Sequence, residues 1–529
     1  MLLKRTPLGV FKIKGLRQAY GDYSYLHMSQ KHDKTSCAAA SRGKTVVDFT
    51  GRLINGSLRY RASDELQSTF STPPPQNSRK RNKDSDECST TWASRLKQLP
   101  CYLQLPPISL PARLDAVAID YLREHSLSPP KAIEDRSKIL TNYLWSRPLM
   151  SEEKVIRKSS KIEDSGDLDS WDEDEGLMFA LKNFTSQREA QISRELDLKS
   201  WKSLSYSGHT CELYLVSRLA PNFATVCRVL YEIRKRCPSF IPKSLFDFGS
   251  GLGTVTWATN TVWPVGCVRH HYLVEPSLHM TRISEFMFQK QGSVQPSEFV
   301  FPGVYHRRFM PSTKNQYNLV VCANSLLEIP CKSSRSRVIS SLWEKTTDFL
   351  VFIEQGTKSG FQAILEARDF LRTNGGPDVH IFSPCPHLQT CGKKDSNCNI
   401  VVRYYNFGLT RFKSEPSSEL ISYLVVSKGD WRRHQVPVVK PEPDQLPRIV
   451  THKLFKHDQP IHDICMPSGA VERVLFPKQQ TDAGLYYYMK QAHSGDIVPA
   501  EVVATNESDH MIECVNEEDK ENKPSSQSC

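Results

Sequence analysis

A glycine-rich loop is the first feature of this sequence that could do chemistry. Its glycines are Gly249, Gly251 and Gly253, and the segment Leu245–Thr254 reads LFDFGSGLGT. Glycine permits backbone angles that side chains forbid, and it lets a ligand come close to the main chain where a helix begins. Because the apolar run Ser244–Phe248 precedes the loop and a helical stretch follows it, we predict a strand, a nucleoside-binding loop and a helix.

Two acidic residues accompany this loop. Asp247 lies two residues before the first glycine, and Glu275 ends the next apolar run. A carboxylate at the end of a second strand can accept hydrogen bonds from the two hydroxyls of a ribose. The loop form Asp-Phe-Gly-Ser-Gly-Leu-Gly-Thr favours S-adenosylmethionine over NAD as the cofactor. The alternative is a loop that keeps the fold and has lost its ligand.

No residue of the sequence stands out as catalytic. Enzymes that methylate amino groups commonly carry an Asp/Asn-Pro-Pro-aromatic tetrad after the fourth strand, but Val320–Pro330 reads VVCANSLLEIP. Methylation of cytosine C5 needs a nucleophilic cysteine, usually within a Pro-Cys pair. Pro384-Cys385 lies well beyond the fifth predicted strand. We therefore assign no catalytic residue, and the enzymatic status of the chain stays open at this point.

Four cysteines form a candidate metal site. Cys385, Cys391 and Cys398 lie close together in a segment with Pro and Gly, and Cys465 is the best candidate for a fourth ligand. Four thiolates bind Zn²⁺ or an iron–sulfur cluster. Zinc sites more often contain tight two-residue knuckles, so the wider spacing favours [4Fe–4S], with free thiols as the alternative. We expect His387 to make a hydrogen bond near the site rather than to bind metal.

The elements that must position these residues follow Pro242. Short apolar runs alternate there with helical stretches, at Ser244–Phe248, Tyr272–Val274, Phe299–Val304, Leu319–Cys322 and Phe349–Ile353. This alternation predicts a parallel α/β sheet. Two later runs, Ile400–Tyr405 and Ile421–Val426, predict an antiparallel pair at its edge. About seven strands match the Rossmann-like sheet of class I S-adenosylmethionine methyltransferases.

An amphipathic helix is predicted before the sheet. Apolar residues from Val216 to Ile233 recur every three or four positions, and we expect Pro221 to break or kink the first part. The opposite face carries four basic residues, Arg228, Arg234, Lys235 and Arg236. Two interpretations of that face stay open, a solvated surface and an RNA-facing one.

Charge and composition limit the class of protein. The 529 residues carry a net charge of +11, while acids concentrate in Glu163–Glu175 and in residues 501–529, so the remaining body is distinctly basic. Such a body favours a polyanionic partner, nucleic acid before anionic lipid. No apolar run approaches the about 18 residues needed to span a bilayer, so we expect no membrane insertion. Fifteen scattered cysteines exclude a small disulfide scaffold.

The N-terminus resembles an organellar presequence. Residues 1–21 contain five basic residues and no acid, interspersed with apolar ones. This pattern favours mitochondrial import, with a disordered basic arm as the alternative. The cluster Arg79–Lys83 could be a nuclear address, but a solvated linker fits better beside an importable N-terminus.

The predicted organisation has five parts. Residues 1–95 are a presequence and disordered basic arm, and residues 96–240 are a helical region with an acidic disordered insertion at 151–176. Residues 241–430 form a class I methyltransferase-like domain that includes the cysteine loop 383–398. Residues 431–490 form an extension that completes the metal cluster, and residues 491–529 are an acidic disordered tail.

These features together resemble the mitochondrial small-ribosomal-subunit methyltransferase-like family, from about Tyr214 to Gln480. The segments that carry the resemblance are Phe246–Thr254, Asn318–Ile329, Phe352–Thr357 with Gly360-Phe361, Cys385–His387, Tyr423–Lys428 and Cys465–Val474. The specific part is the Cys-Pro-His block joined to the methyltransferase loop. Asn397-Cys398-Asn399 departs from the family, because it lacks the aromatic residue and the His that often flank this cysteine.

The resemblance implies a class I fold that can hold S-adenosylmethionine and a [4Fe–4S] cluster on Cys385, Cys391, Cys398 and Cys465. It implies a role in maturing the small mitochondrial ribosomal subunit in the matrix. The implied partners are small-subunit rRNA, ribosomal proteins and assembly intermediates, and the free protein is expected to be a monomer. Family members resemble assembly factors without methyl transfer, which agrees with the missing tetrad. The alternatives are an active rRNA methyltransferase and a nuclear or cytosolic regulator.

Overall fold

The computed structural model describes residues 101–149, 204–289, 299–409, 415–435 and 446–498, apart from positions 205, 395, 452, 458, 480 and 482. It also describes five two-residue strands, at Gly9–Val10, Ile13–Lys14, Val46–Val47, Leu53–Ile54 and Ile512–Glu513. The predicted presequence and basic arm and the acidic insertion otherwise lie outside the described residues, as does the predicted tail after residue 498. Residues 491–498, predicted as the start of the disordered tail, are described, and Ile497 and Val498 are buried because they pack in the core of the C-terminal extension. Within the described part, no helix is long and apolar enough to cross a membrane.

Helices and strands alternate through the central part of the chain. The α-helices are α1 (Ala112–His125), α2 (Pro130–Ser146), α3 (Gly208–Arg236), α4 (Thr254–Val262), α5 (Leu278–Phe288), α6 (Lys332–Glu344), α7 (Lys358–Asn374) and α8 (Ala483–Gln491). The strands of the main sheet are β1 (Ser244–Phe248), β2 (His270–Val274), β3 (Val304–Arg307), β4 (Tyr317–Ala323), β5 (Thr346–Gln355), β6 (Val379–Ser383), β7 (Ile400–Tyr404) and β8 (Ser417–Lys428).

The main sheet has eight strands in the order β6-β8-β5-β4-β1-β2-β3, with β7 pairing the free end of β8. Strands β1 to β5 are parallel, and β8 runs antiparallel to β5, β6 and β7. This order, with one antiparallel strand inserted beside β5, is the class I methyltransferase sheet that the sequence predicts. The predicted antiparallel edge pair is β7 with β8, where Ile400 lies opposite Ile421.

Helices cover both faces of this sheet. Helices α1, α3, α4 and α5 pack on one face, around buried residues such as Leu245, Leu319 and Val351. Helices α6 and α7 pack on the other face, around Phe246 and Leu350. Because both faces are buried, β4 and β5 are nearly continuous apolar runs, as parallel sheets require.

One observed strand is displaced from its predicted position, and another has no predicted counterpart. The run Phe299–Val304 was expected as the third strand, but β3 is Val304–Arg307, because Phe299 and Phe301 pack against Phe288 before the strand begins. Strand β6 was not predicted, and it raises the count from about seven strands to eight.

The expectations for helix α3 are also corrected. Pro221 does not break it: the helix is continuous from Gly208 to Arg236, and buried neighbours on both sides of Pro221 offset the lost hydrogen bond. Arg228 and Arg236 face neither solvent nor RNA, because both are buried. Each makes an ion pair with the buried Glu232 one helical turn away.

The C-terminal extension forms a second, smaller layer. Its strands are β9 (Arg448–Ile449), β10 (Leu454–Lys456), β11 (Gln459–Cys465) and β12 (Val471–Leu475), which pair antiparallel around β11. Helix α8 packs beside this sheet, and the shared core includes Phe476 and Tyr488. Cys101 and Leu103, from the start of the described chain, belong to the same core.

Candidate functional site

The glycine loop joins β1 to α4 in left-handed backbone conformations. The φ angles of Gly249, Gly251 and Gly253 are 70°, 49° and 74°. The N–H groups of Gly249 and Ser250 donate to the carbonyl of Val274, at 2.9 and 3.1 Å. The loop is therefore fastened to the end of β2, and all three glycines are needed for its path.

The three glycines do not have the same surroundings. A side chain at Gly249 would collide with Ser325, and one at Gly253 would collide with Phe288. At Gly251 the nearest atom to an added Cβ is the Gly249 carbonyl oxygen, 4.0 Å away. Gly249 and Gly253 therefore serve packing, whereas Gly251 is the position where a ligand could approach the main chain.

Glu275 directly follows β2, and its side chain contacts the loop. Its Oε2 accepts a hydrogen bond from the Gly251 N–H at 2.8 Å, and its Oε1 accepts one from the Ser277 N–H at 2.9 Å. Burial raises the pKa of Glu275, and these two hydrogen bonds oppose that effect. A carboxylate can accept about four hydrogen bonds. Glu275 therefore keeps capacity for ribose hydroxyls.

Asp247 is buried in β1 beside the loop. Neither of its carboxylate oxygens has a hydrogen-bond partner among the described residues. Burial raises the pKa of Asp247 well above its usual range, and the charge of Glu275 adds to this. A buried polar group without a partner is costly, so this site favours a bound molecule that donates hydrogen bonds. The loop, Glu275 and Asp247 together fit a nucleoside-type ligand.

The segment after β4 is the one in which amino-methylating enzymes commonly carry their tetrad. It forms a short 3₁₀ helix, Leu326–Glu328, whose first N–H donates to Glu354 Oε1 at 2.7 Å. Burial raises the pKa of Glu354 to about 7. Ser325 donates to the carbonyl of Phe248 at 3.3 Å and so packs against the glycine loop.

Side chains from the N-terminal region bind Glu328 in this segment. Glu328 Oε1 accepts hydrogen bonds from Arg147 Nη1 at 2.5 Å and from the Tyr206 hydroxyl at 3.0 Å. The Tyr206 carbonyl in turn accepts a hydrogen bond from Ser277 Oγ at 3.2 Å. Sequence reasoning missed Arg147 and Tyr206, because their role depends on contacts between segments far apart in the chain. Glu328 is the acidic residue of the segment in which the tetrad is absent, and it is bound by other side chains of the same chain.

The cysteine loop and the turn after Cys465 pack directly together. An added Cβ at Gly392 would lie 2.5 Å from the Gly469 carbonyl, and one at Gly469 would lie 3.2 Å from the Thr390 carbonyl. His387 is buried, and its Nε2 lies 3.3 Å from Cys465 Sγ. This contact agrees with the expectation that His387 makes a hydrogen bond near the thiols.

The four predicted cysteine ligands share one region. Burial raises the pKa of Cys465, and the charges of Cys385, Cys398 and Cys391 raise it further. Burial likewise raises the pKa of Cys398 to about 12, with smaller effects from Cys385 and Cys391. Among the described residues, however, no group of three or more His, Cys, Asp or Glu side chains has the arrangement of a metal site. The structure therefore does not show the predicted cluster.

Comparison with known families identifies the chain. A family model described as mitochondrial small ribosomal subunit Rsm22 matches residues 209–499, which is more than half of the sequence. The chain belongs to the Rsm22 family. The match includes the glycine loop and all four cysteines, and it confirms the resemblance that the sequence motifs indicated.

Two relatives place the chain within the Rsm22 family. Ribosome assembly protein METTL17, mitochondrial, of Homo sapiens is 31% identical over 419 residues, which cover 76% of this chain and 85% of that protein. Rsm22-cox11 tandem protein 2, mitochondrial, of Schizosaccharomyces pombe is 24% identical over 353 residues, which cover 59% of this chain and 46% of that protein.

Some solved structures are similar to part of this Rsm22-family chain at low identity. Magnesium protoporphyrin IX methyltransferase from Synechocystis, with bound S-adenosylmethionine, is 11% identical and covers 50% of this chain and 100% of its own, with a TM-score of 0.26. Ribosomal protein L11 methylase from Lactobacillus delbrueckii is 10% identical and covers 39% and 79%, with a TM-score of 0.24. The fold assignment rests on the strand order of the sheet.

A buried charge cluster ties the extension of this Rsm22-family chain to its core. Arg448 Nη2 lies 2.7 Å from Glu232 Oε1, and the Tyr423 hydroxyl donates to Glu232 Oε2 at 2.9 Å. Burial tends to raise the pKa of Glu232, but Arg448, Arg228 and Arg236 together lower it to about 2. Spacing of four residues could have indicated the pairs within α3. Nothing in the sequence indicated Arg448.

Proposed function

We propose that the chain is an assembly factor of the mitochondrial small ribosomal subunit that works in the matrix and does not transfer methyl groups. Its family membership and its 31% identity to a human mitochondrial ribosome assembly protein support the assembly role. The contacts of Glu328 with Arg147 and Tyr206 support a scaffold, because they engage the acid of the segment in which the tetrad is missing.

The proposed partners are small-subunit rRNA, ribosomal proteins and assembly intermediates, and the free protein is proposed to be a monomer. The net charge of +11 supports an RNA partner, since the acids cluster in two segments and leave the rest of the chain basic. Contacts with phosphates make affinity fall steeply with salt. The affinity for rRNA fragments should therefore decrease strongly between low and physiological salt.

The residues proposed to hold S-adenosylmethionine are Asp247, Gly249, Gly251, Gly253 and Glu275. When bound, this cofactor supplies an electrophilic methyl group. Gly251 leaves room for the cofactor to approach, and the carboxylate of Glu275 can accept its hydrogen bonds. The carboxylate of Asp247 has no hydrogen-bond donor among the described residues, and the cofactor could provide one. In the scaffold role these residues bind and orient the cofactor, and no group of the chain takes a proton from an acceptor.

We also propose a [4Fe–4S] cluster on Cys385, Cys391, Cys398 and Cys465. The shared electrostatic surroundings of the thiols, the packing of their two loops and the contact of His387 with Cys465 support this. Metal binding would add folding free energy to a loop that has no core of its own.

Iron analysis tests the cluster. Anaerobically purified protein should be brown, with about four irons per chain. Cys465→Ser should lower the iron content, whereas Cys267→Ser, a partly exposed cysteine outside the set, should not. Colourless protein that carries one zinc would refute the iron–sulfur assignment, but it would still agree with the four cysteines as metal ligands.

Depletion of the chain tests the assembly role. Cells without it should lose small-subunit rRNA and mitochondrial protein synthesis, and a tagged copy should sediment with incomplete small subunits. Normal subunits in depleted cells, or a tagged copy found outside mitochondria, would contradict the proposal.

A further inference from the structure

The connection between β3 and β4 has no helix. All residues from 308 to 316 are described, and none of them is helical. The other parallel connections of the sheet, β1 to β2, β2 to β3 and β4 to β5, contain α4, α5 and α6. Crossover helices normally cover both faces of a parallel sheet. Within the part of the chain that the structure describes, no helix therefore covers the face opposite α4 and α5 at its β3 edge.

Aromatic rings lie along this uncovered face. Phe246 in β1 stacks on Tyr272 in β2, with ring centroids 5.6 Å apart and an interplanar angle of 10°. Tyr272 lies opposite Tyr305 of β3 in the register of the sheet. Burial decreases along the row, from the fully buried Phe246 to Tyr305, which is 45% exposed. Phe309, just beyond β3, is 72% exposed.

Basic groups alternate with these rings. The Arg307 guanidinium lies 5.8 Å from the centre of the Tyr272 ring, and the Arg308 guanidinium lies 5.5 Å from that of Phe309. His270 stacks on Tyr305 at 6.4 Å, and Arg269 is exposed beside it. Among the described residues, neither Arg307 nor Arg308 pairs with a carboxylate.

No acid interrupts this part of the sequence. Residues 299–327 contain Arg307, Arg308 and Lys314 and neither Asp nor Glu. Exposed rings beside guanidiniums that have no carboxylate partner among the described residues offer stacking surfaces and phosphate contacts at the β3 edge of the sheet. Open sheet faces with aromatic residues on neighbouring strands bind unpaired RNA bases in this way.

We propose that this surface binds a single-stranded segment of RNA. It is called the β3 face and consists of Arg269, His270, Tyr272, Tyr305, Arg307, Arg308 and Phe309. The inference rests on the proposed function, in which the chain binds rRNA. It adds which surface binds and that the bound RNA is single-stranded. The rings of Tyr305 and Phe309 stack on bases, and the two arginines neutralise phosphates. Duplex RNA keeps its bases stacked on each other and so cannot use the rings.

Fluorescence anisotropy with the full chain tests the β3 face. The probes are a labelled oligouridine and a duplex RNA with the same number of phosphates. Phe309→Ala should weaken oligouridine binding about 5- to 150-fold, the effect of losing one base stack, and should leave duplex binding unchanged. The double change Arg307→Gln and Arg308→Gln should reduce the salt slope for oligouridine by about 1.4, at about 0.7 per phosphate.

Matched variants control for exposure and charge. Phe455→Ala removes another exposed phenylalanine ring, 50% exposed, from β10 in the extension. Lys332→Gln with Arg337→Gln removes two exposed cations from α6, which packs near β5. Strands β4, β1 and β2 lie between β5 and β3 in the sheet. Neither control variant should change oligouridine binding. Circular dichroism of every variant checks the fold, and Tyr305→Phe should bind as the wild type because it keeps the ring.

The outcomes separate this inference from the proposed function. Phe309→Ala and the double arginine variant could bind oligouridine like the wild type while rRNA fragments still bind. The assignment of the β3 face as the RNA-binding surface would then be wrong, and the proposal that the chain binds rRNA would remain. Equal losses for oligouridine and duplex would overturn the stacking role, because duplex RNA cannot use the rings. Absence of any RNA binding by the wild type would overturn both proposals.

Discussion

The glycine loop and the cysteine region are assembled from the sequence in different ways. The loop residues from Asp247 to Glu275 lie on two consecutive strands that pair directly, so local sequence places them together. The cysteine loop follows β6, whereas Cys465 comes from the sheet of the extension. That extension is joined to the core through Arg448 and the buried Glu232. A site of the first kind can be recognised from a motif, and one of the second kind depends on tertiary contacts.

The largest expected effect comes from removing the buried contact of the extension. Arg448→Ala leaves Glu232 with one partner fewer and should lower the free energy of unfolding by about 3–5 kcal/mol, as for other broken buried ion pairs. Arg473→Ala is the matched control in the same extension, because its pair with Asp463 is exposed and should contribute at most about 1 kcal/mol. Denaturant unfolding measures both. Similar values for the two variants would show that the buried cluster does not fasten the extension.

The glycine loop should respond according to which glycine is changed. Gly253→Ala adds about 1–2 kcal/mol of backbone strain and about 1–3 kcal/mol of crowding against Phe288. Gly251→Ala adds only the strain, because the space above Gly251 is open. Thermal unfolding of the two variants should therefore differ. Equal destabilisation would contradict the assignment of Gly251 as the position a ligand approaches.

The two regions should lose stability in the same acidic range. Burial lowers the pKa of His271 in the main sheet and of His462 in the extension to about 4. The unfolded chain binds these protons near pH 6.5. Each buried neutral histidine therefore contributes fully to the free energy of unfolding above that pH, and this contribution is lost as the pH falls to about 4. Each loss amounts to about 3 kcal/mol.

Hydrogen exchange at pH 6.5 and pH 4.5 resolves this effect by region. His462→Gln should flatten the response of the extension and leave the main sheet unchanged, since glutamine can still donate to the Met489 carbonyl that His462 contacts. An unaltered response of the extension would show that His462 does not carry its pH dependence.

Much of the main sheet follows from the sequence. Strand β1 was predicted to the residue, because a short apolar run ends in a glycine loop. The edge strand β3 was misplaced, since Phe299 and Phe301 are apolar for packing on Phe288 rather than for pairing. Strand β6 was missed because its five residues, VHIFS, have no strong apolar pattern.

The site was less predictable than the fold, for physical reasons. Charged residues such as Arg228 and Arg236 suggest a surface, and only their common partner Glu232 explains why they are buried. Arg147 and Tyr206 reach Glu328 from elements that flank residues outside the described part. Contacts of this kind join segments far apart in the chain, and residue spacing does not encode them.

Complementation with a blocked donor loop tests the scaffold role most directly. Cells that lack the chain are given Gly251→Arg, which fills the open space above the loop, or Gly376→Arg as a control. Gly376 has a similar left-handed φ of 80° and open surroundings, and it lies between α7 and β6. Both variants must fold and carry the wild-type amount of iron.

The readouts are small-subunit rRNA and mitochondrial protein synthesis. A scaffold predicts that both variants restore them to the level of the wild type. Failure of Gly251→Arg beside full rescue by Gly376→Arg would contradict the scaffold account. It would show that the methyl donor itself is required.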